Sequence, residues 1–186
     1  MNRPRRNLLL YLGFMLLFGW LGVALPYWAG WIMTGALVVV LSLVALVGRE
    51  LFKARVLMKQ RQYVAAAQAL QKFQTELKAS GPRRLIGALI SGRWTFDAVA
   101  VAENDLGAIA SEAGHSDVAR KHFEAAAQLD PGYAIPHVNL ALLAASRAEA
   151  NAAFTAAAKA RELGFRSKGL QRAIDVALQA KLPPTA

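Results

Sequence analysis

Three histidines, His115, His122 and His137, are the residues best suited to proton transfer or metal binding. The first two lie seven apart, but one falls in a turn and the other in the helix that follows. That does not give the one-face spacing that a metal ion needs. Each reads as a surface or packing histidine. The chain has no cysteine, which excludes disulfides, thiolate zinc sites and a cysteine nucleophile. It has no Gly-rich phosphate loop, no G-x-S-x-G and no H-E-x-x-H. Acidic residues interleave with basic ones along helical faces, as on a solvated surface. The expectation is a protein with no catalysis, no cofactor and no metal.

What the chain has instead is uneven charge. Its 186 residues carry a formal net charge of +10. Residues 1–50 are net +3, residues 51–95 net +8, and residues 96–186 net −1. Between Asn7 and Gly48 there is no charged residue. That run exceeds the ~20 residues needed to cross a ~30 Å hydrocarbon core. Its length fits two spans, Asn7 to about Leu25 and about Trp28 to Val47. The stretch LPYWAGW, residues 25–31, falls at the midpoint. Its Pro and Gly break helices, and Trp20, Tyr27, Trp28 and Trp31 are placed like an interfacial aromatic belt. The expectation for 1–48 is a transmembrane helical hairpin.

Arg3, Arg5 and Arg6 precede the first span. Arg49, Lys53, Arg55, Lys59 and Arg61 follow the second, and the turn between has no Lys or Arg. Positive flanks stay cytoplasmic, so both ends are expected inside and the turn outside. The basic cluster then lies against membrane lipids. A cleaved signal peptide ending near Gly22-Val23-Ala24 is the competing reading. It leaves the C-terminal part on the same side. The Ala- and Arg-rich composition points to a bacterial inner membrane.

Residues 49–98 form a basic connector and an insertion. Residues 49–79 contain no Pro or Gly and read as one helix. Val56, Tyr63, Leu70 and Leu77 recur every seven residues on it. The stripe serves either packing on the C-terminal helices or a short coiled coil that makes a homodimer, through this helix or the spans. Phe52, Tyr63 and Phe73 among the charges raise nucleic-acid binding, but their place in or near the stripe argues for core instead.

Residues 99–186 carry a repeat. ENDLGAIASEAGHSDVARKHFEAAAQLDP, 103–131, has Leu106-Gly107, then Ala119-x3-Phe123, then Pro131. It resembles the tetratricopeptide repeat, a helix–turn–helix unit of about 34 residues with the pattern L-G…A-x3-F…P. Leu140-Ala141 returns 34 residues after Leu106-Gly107, and Ala150-x3-Phe154 restates the second half three residues early. RQYVAAAQALQKF, 61–73, looks like the second helix of an upstream unit. Leu170, Ile174, Ala177 and Leu178 stripe a closing helix. The fold class expected is all-α: the membrane hairpin, then a short tetratricopeptide-like solenoid with a cap.

The resemblance implies a concave groove lined by first helices, near Asn104, Ala108, Ser111, Val138, Asn139, Leu142 and Ser146. Such grooves take peptides. This one lacks the paired basic residues of the carboxylate-clamp subset, so a partner helix suits it better. The function expected is a scaffold that holds a protein partner at the cytoplasmic face. The alternative is a regulator binding lipid or nucleic acid through 49–95.

Overall fold

The computed structural model describes residues 12–13, 15–17, 19–20, 27–91 and 95–179. Among them there is no strand. The helices are α1 (Tyr27–Lys59), α2 (Tyr63–Lys78), α3 (Gly81–Ile90), α4 (Ala98–Glu112), α5 (Ser116–Leu129), α6 (Ala134–Ser146), α7 (Ala150–Glu162) and α8 (Lys168–Gln179). The described residues between 12 and 20 are also helical.

Two expectations about the first half change. Tyr27 to Trp31 are helical, so Gly30 does not break the helix as expected; Leu25 and Pro26 lie outside the described residues. Among the described residues one helix, Ala29–Lys59, is long and apolar enough to cross a membrane. Most of the other arm of the expected hairpin falls outside them. The expected single connector helix is also two helices. α1 runs through position 48 without a break and ends at Lys59, and the chain turns at Gln60–Gln62 into α2.

α1 pairs with α2, α4 with α5 and α6 with α7 as three antiparallel hairpins. α2 packs on α4, α5 on α6, and α8 closes the end against α6. All three hairpin turns are built alike. Gln62 N donates to Leu57 O at 2.9 Å and Arg61 N to Met58 O at 3.0 Å. His115 N donates to Ala110 O and Gly114 N to Ser111 O; Glu149 N donates to Ala144 O and Ala148 N to Ala145 O. These are Schellman turns, which satisfy the last carbonyls of a helix through one left-handed residue. That residue is Arg61 (φ 60), Gly114 (φ 80) or Ala148 (φ 61).

An L-residue in this conformation costs roughly 1–2 kcal/mol. Ala148→Gly is therefore expected to stabilise the protein by about 1 kcal/mol. Thermal melts of the full chain in detergent read the gain.

The left-handed residues also set the register. Ala148 follows Gly114 by 34 positions, as Ala150 follows Ser116 at the helix starts. No residues are lost between the second and third hairpins, contrary to the early placing of Ala150-x3-Phe154. Ala153 and Ala157, at 0% and 1% exposure, take the places of Ala119 and Phe123, while Phe154 is 44% exposed. The substitution of Ala157 for Phe123 has a partner across the hairpin. A Cβ at Gly107 would lie 2.6 Å from the Phe123 ring. The equivalent of Gly107 is Ala141, which brings a Cβ where the ring is gone. The first hairpin solves the same space with Ala54 and Leu70, both fully buried.

One core, from Val47 through Leu51, Leu70, Phe73 and Leu77 to Val101, Ile109 and Tyr133, joins α1, α2 and α4. The stretches 49–98 and 99–186 thus share a core. Leu70 and Leu77 of the heptad stripe are used up inside it, and the helix carrying the stripe is broken at Gln60–Gln62. That removes the seam a connector coiled coil needs. Phe73 is fully buried and Tyr63 half-buried against the same core, so neither is placed to stack on a base.

Candidate docking surface

The first helices of the second and third hairpins, α4 and α6, hold the residues expected to line a groove. Asn104 is 5% exposed. Its carboxamide accepts from Asn139 Nδ2 at 2.8 Å and donates to Asp105 at 3.5 Å. It ties α4 to α6 as wall, where a free contact was expected. Val138 packs against the core between α6, α7 and α8. Ala108 and Ser111 are half-buried. Leu142, at 37% exposure, and Ser146 remain open; the Ser146 hydroxyl donates to Leu143 O. So five of the seven keep a surface on this side, with Asn139 half-exposed beside Asn104 and Leu142 the apolar point.

A separate cavity of about 520 Å³ opens between α5, α6 and α7, lined by Arg120, His137, Leu140, Asn151, Thr155 and Lys159. None of the seven expected residues lines it. His137, Leu140 and Ala144 share one face of α6, and Asn139, Leu142 and Ser146 share another, as the helical period requires. Burial pushes the His137 imidazole below its ordinary value, and the Lys159 charge adds to that.

The basic cluster divides by position. Arg55 turns to the domain: its Nε donates to Asp105 Oδ2 at 3.2 Å. Arg61 is the left-handed residue of the first turn. Lys59 stands about 18 Å along the helix from Val47, beyond a headgroup layer of ~5–8 Å. Arg49 and Lys53 are exposed within one to two turns of Val47. Of the five basic residues expected at a membrane surface, these two are the exposed ones nearest the end of the uncharged run. Arg49 also pairs with Glu50 at 3.3 Å, and Lys72 of α2 donates to the same carboxylate at 2.8 Å.

Sequence reading missed Asp105 and Tyr133. Burial raises the Asp105 carboxyl above its ordinary value, against the opposing charge and hydrogen bond of Arg55. Burial also raises Tyr133, helped by the Asp105 charge. Because Asp105 is raised, its contribution to stability is present below the ordinary carboxylate value and is lost as pH rises through its folded value. Asp105→Asn is expected to flatten stability against pH in that window. Arg55→Ala is expected to cost more than the ~0–1 kcal/mol of an exposed pair, because it leaves a mostly buried charge unmatched. Melts of the detergent-solubilised chain from about pH 4 to about pH 8 span the titration of a carboxyl raised from its ordinary value.

Polar links tie the stack together. His122 Nδ1 lies 2.8 Å from Glu103 Oε2, and Gln74 Nε2 donates to Glu103 Oε1 at 2.9 Å, so α2, α4 and α5 meet at one carboxylate. Arg120 and Arg147 share Glu149, and Arg147 also bonds Asp117 at 2.5 Å, which links the second and third turns. Among the described residues no group of His, Asp and Glu is arranged to hold a metal ion. The histidines are spent elsewhere: His115 precedes α5 at its turn, His122 pairs with Glu103, and His137 lines the cavity.

The features define a class of architecture: an all-helical stack of three hairpins grown from a helix of membrane-crossing length. No protein-family model matches the chain, and no curated protein matches it.

Proposed function

We propose that the protein is a membrane-anchored, tetratricopeptide-like scaffold that binds a partner and does no chemistry of its own. The observation that carries this reading is α1. Its first part, from Ala29 to Leu46, is apolar, with nearly all of its large side chains exposed; from Val47 onward the same helix is buried as the first helix of the first hairpin. A span that continues into the stack leaves no tether, so the groove stands at the membrane surface. The 34-residue register of the second and third hairpins and the alternation Ala54/Leu70, Gly107/Phe123, Ala141/Ala157 support the repeat reading.

In this reading α1 crosses a bacterial-type inner membrane and the stack lies on the cytoplasmic side, next to Arg49 and Lys53. The helical, apolar residues described between 12 and 20, with Met15 and Leu16 at 70% and 73% exposure, belong to a second arm that makes the hairpin. The side of the groove that carries Asn139, Leu142 and Ser146 is neutral, so the partner is a helix of a protein at or in the same membrane rather than a charged tail. A nucleic acid is the weaker reading, because Phe73 is fully buried and Tyr63 packs against the same core, which leaves Phe52 alone exposed among the three aromatic residues.

A photoreactive residue at Leu142 in membranes tests this. A discrete protein adduct is expected there, and none from the same residue at Phe154, which is exposed on α7. Adducts to lipid alone at Leu142 would rule the scaffold out.

A further inference from the structure

The second and third hairpins follow each other directly, but nineteen extra residues separate the first from the second, and α3 lies within them. Where α3 sits follows from how α2 folds back. Lys72 meets Glu50 at 2.8 Å, and the two are equally far from Arg61 in the turn. At that register Lys78, the last residue of α2, stands level with Val44 of α1. Val44 is inside the uncharged run that ends at Gly48. The chain therefore leaves α2 at the depth where the apolar run ends, and α3 begins three residues later.

α3 is pinned at that depth. Ile86 and Ile90, one turn apart, pack against the core that contains Val47 and Leu51. Ile90 Cδ1 comes within 3.1 Å of where a Cβ on Gly48 would stand, and the Phe52 ring within 2.8 Å. Val47 to Leu51 spans about 6 Å of helix, comparable with the ~5–8 Å of headgroup layer on each side of the hydrocarbon core. The outer side of α3 suits that layer. Leu89 of α3 is 51% exposed and Phe52 of α1 is 49% exposed. Arg83 and Arg84 are exposed at its start; Arg83 holds Glu76 at 3.0 Å, and Arg84 has no ion pair among the described residues. A short amphipathic helix with apolar residues and arginines lies in a membrane interface, with the arginine stems along the apolar boundary and the guanidinium groups on phosphates.

We propose that α3 is an interfacial helix seated in the headgroup layer of the membrane that α1 crosses, with Leu89 toward the acyl chains and Arg84 on lipid phosphate. This rests on the membrane-crossing reading of α1. It goes further by giving the stack a second foot. One helix leaves a domain free to swivel about its axis, whereas a helix and a foot fix which way the groove faces.

The absence of cysteine permits single-cysteine probes without background. The full chain is reconstituted in vesicles of phosphatidylcholine and phosphatidylglycerol, with an environment-sensitive fluorophore at Leu89→Cys, Val39→Cys or Glu124→Cys. All three positions are exposed, so the label need not disturb the core. The expected result is quenching by nitroxide-labelled lipid at 39 and 89 but not at 124, and an iodide quenching constant several-fold lower at 89 than at 124. If 39 is lipid-quenched while 89 responds to iodide as 124 does, the interfacial helix is wrong and the anchor stands. If 39 is also open to iodide, the anchor falls and the interfacial helix with it.

Discussion

Phe73→Ala should destabilise the stack by about 3–5 kcal/mol, the usual range for removing a large buried aromatic ring. Phe73 is fully buried and is among the largest buried side chains in the structure. It sits in the core that binds α1, α2 and α4 together. The cavity it leaves has rigid helices on its sides, which limits collapse. The loss is also local in kind, because Phe73 belongs to the hairpin that includes the end of α1. Hydrogen exchange on the variant should therefore show early opening of α2 against α1, with α6 and α7 keeping more of their protection. Equal loss of protection in all three hairpins would mean that the stack opens as one unit. Thermal melts and exchange on the full chain in detergent supply both readings.

The second large effect is a coupling. Gly107→Ala places a Cβ 2.6 Å from the Phe123 ring, which is 2% exposed and cannot swing away. Overpacking of this kind costs about 1–3 kcal/mol. Phe123→Ala alone opens a cavity and should cost about 3–5 kcal/mol. The double variant reproduces the Ala141/Ala157 pair of the third hairpin. Its cost should fall short of the sum of the single costs by about 0.5–3 kcal/mol, the range found for touching residues. Additive costs would show that the two positions do not share one space. That would remove the packing support for aligning the hairpins at 34 residues and leave only the register of the turns.

These positions show how far the sequence could be read. Leu106-Gly107 and Phe123 were legible because each carries a strong local requirement: a close approach and a large ring. His115 takes the N-cap position of α5 and makes no side-chain capping hydrogen bond. The turn at Gln60–Gln62 was hidden because its left-handed residue is Arg61, where a glycine would have marked it. Ala148 hid the third turn in the same way, and Phe154 then drew the register three residues off by matching the motif with a side chain that ends up exposed.

The candidate groove was half legible. The repeat resemblance placed Leu142 and Ser146 at the groove, and both are exposed, but it could not tell that Asn104 would be consumed by Asn139 and Asp105. The ion pair of Arg55 with Asp105 joins residues fifty apart, and no local pattern announces it. The basic cluster read as a membrane contact because its residues are adjacent in sequence. Along a helix rising ~1.5 Å per residue they spread over too great a height for all to touch one surface.

A scaffold for a cytoplasmic-face partner must place the stack on the inner side of the membrane that α1 is proposed to cross. Glu112→Cys puts one thiol on an exposed position at the end of α4, in a chain with no other cysteine. Intact cells are treated with a membrane-impermeant maleimide, before and after permeabilisation. Labelling is expected only after permeabilisation, because the positively flanked end of α1 holds the stack inside. Full labelling in intact cells would contradict that placement.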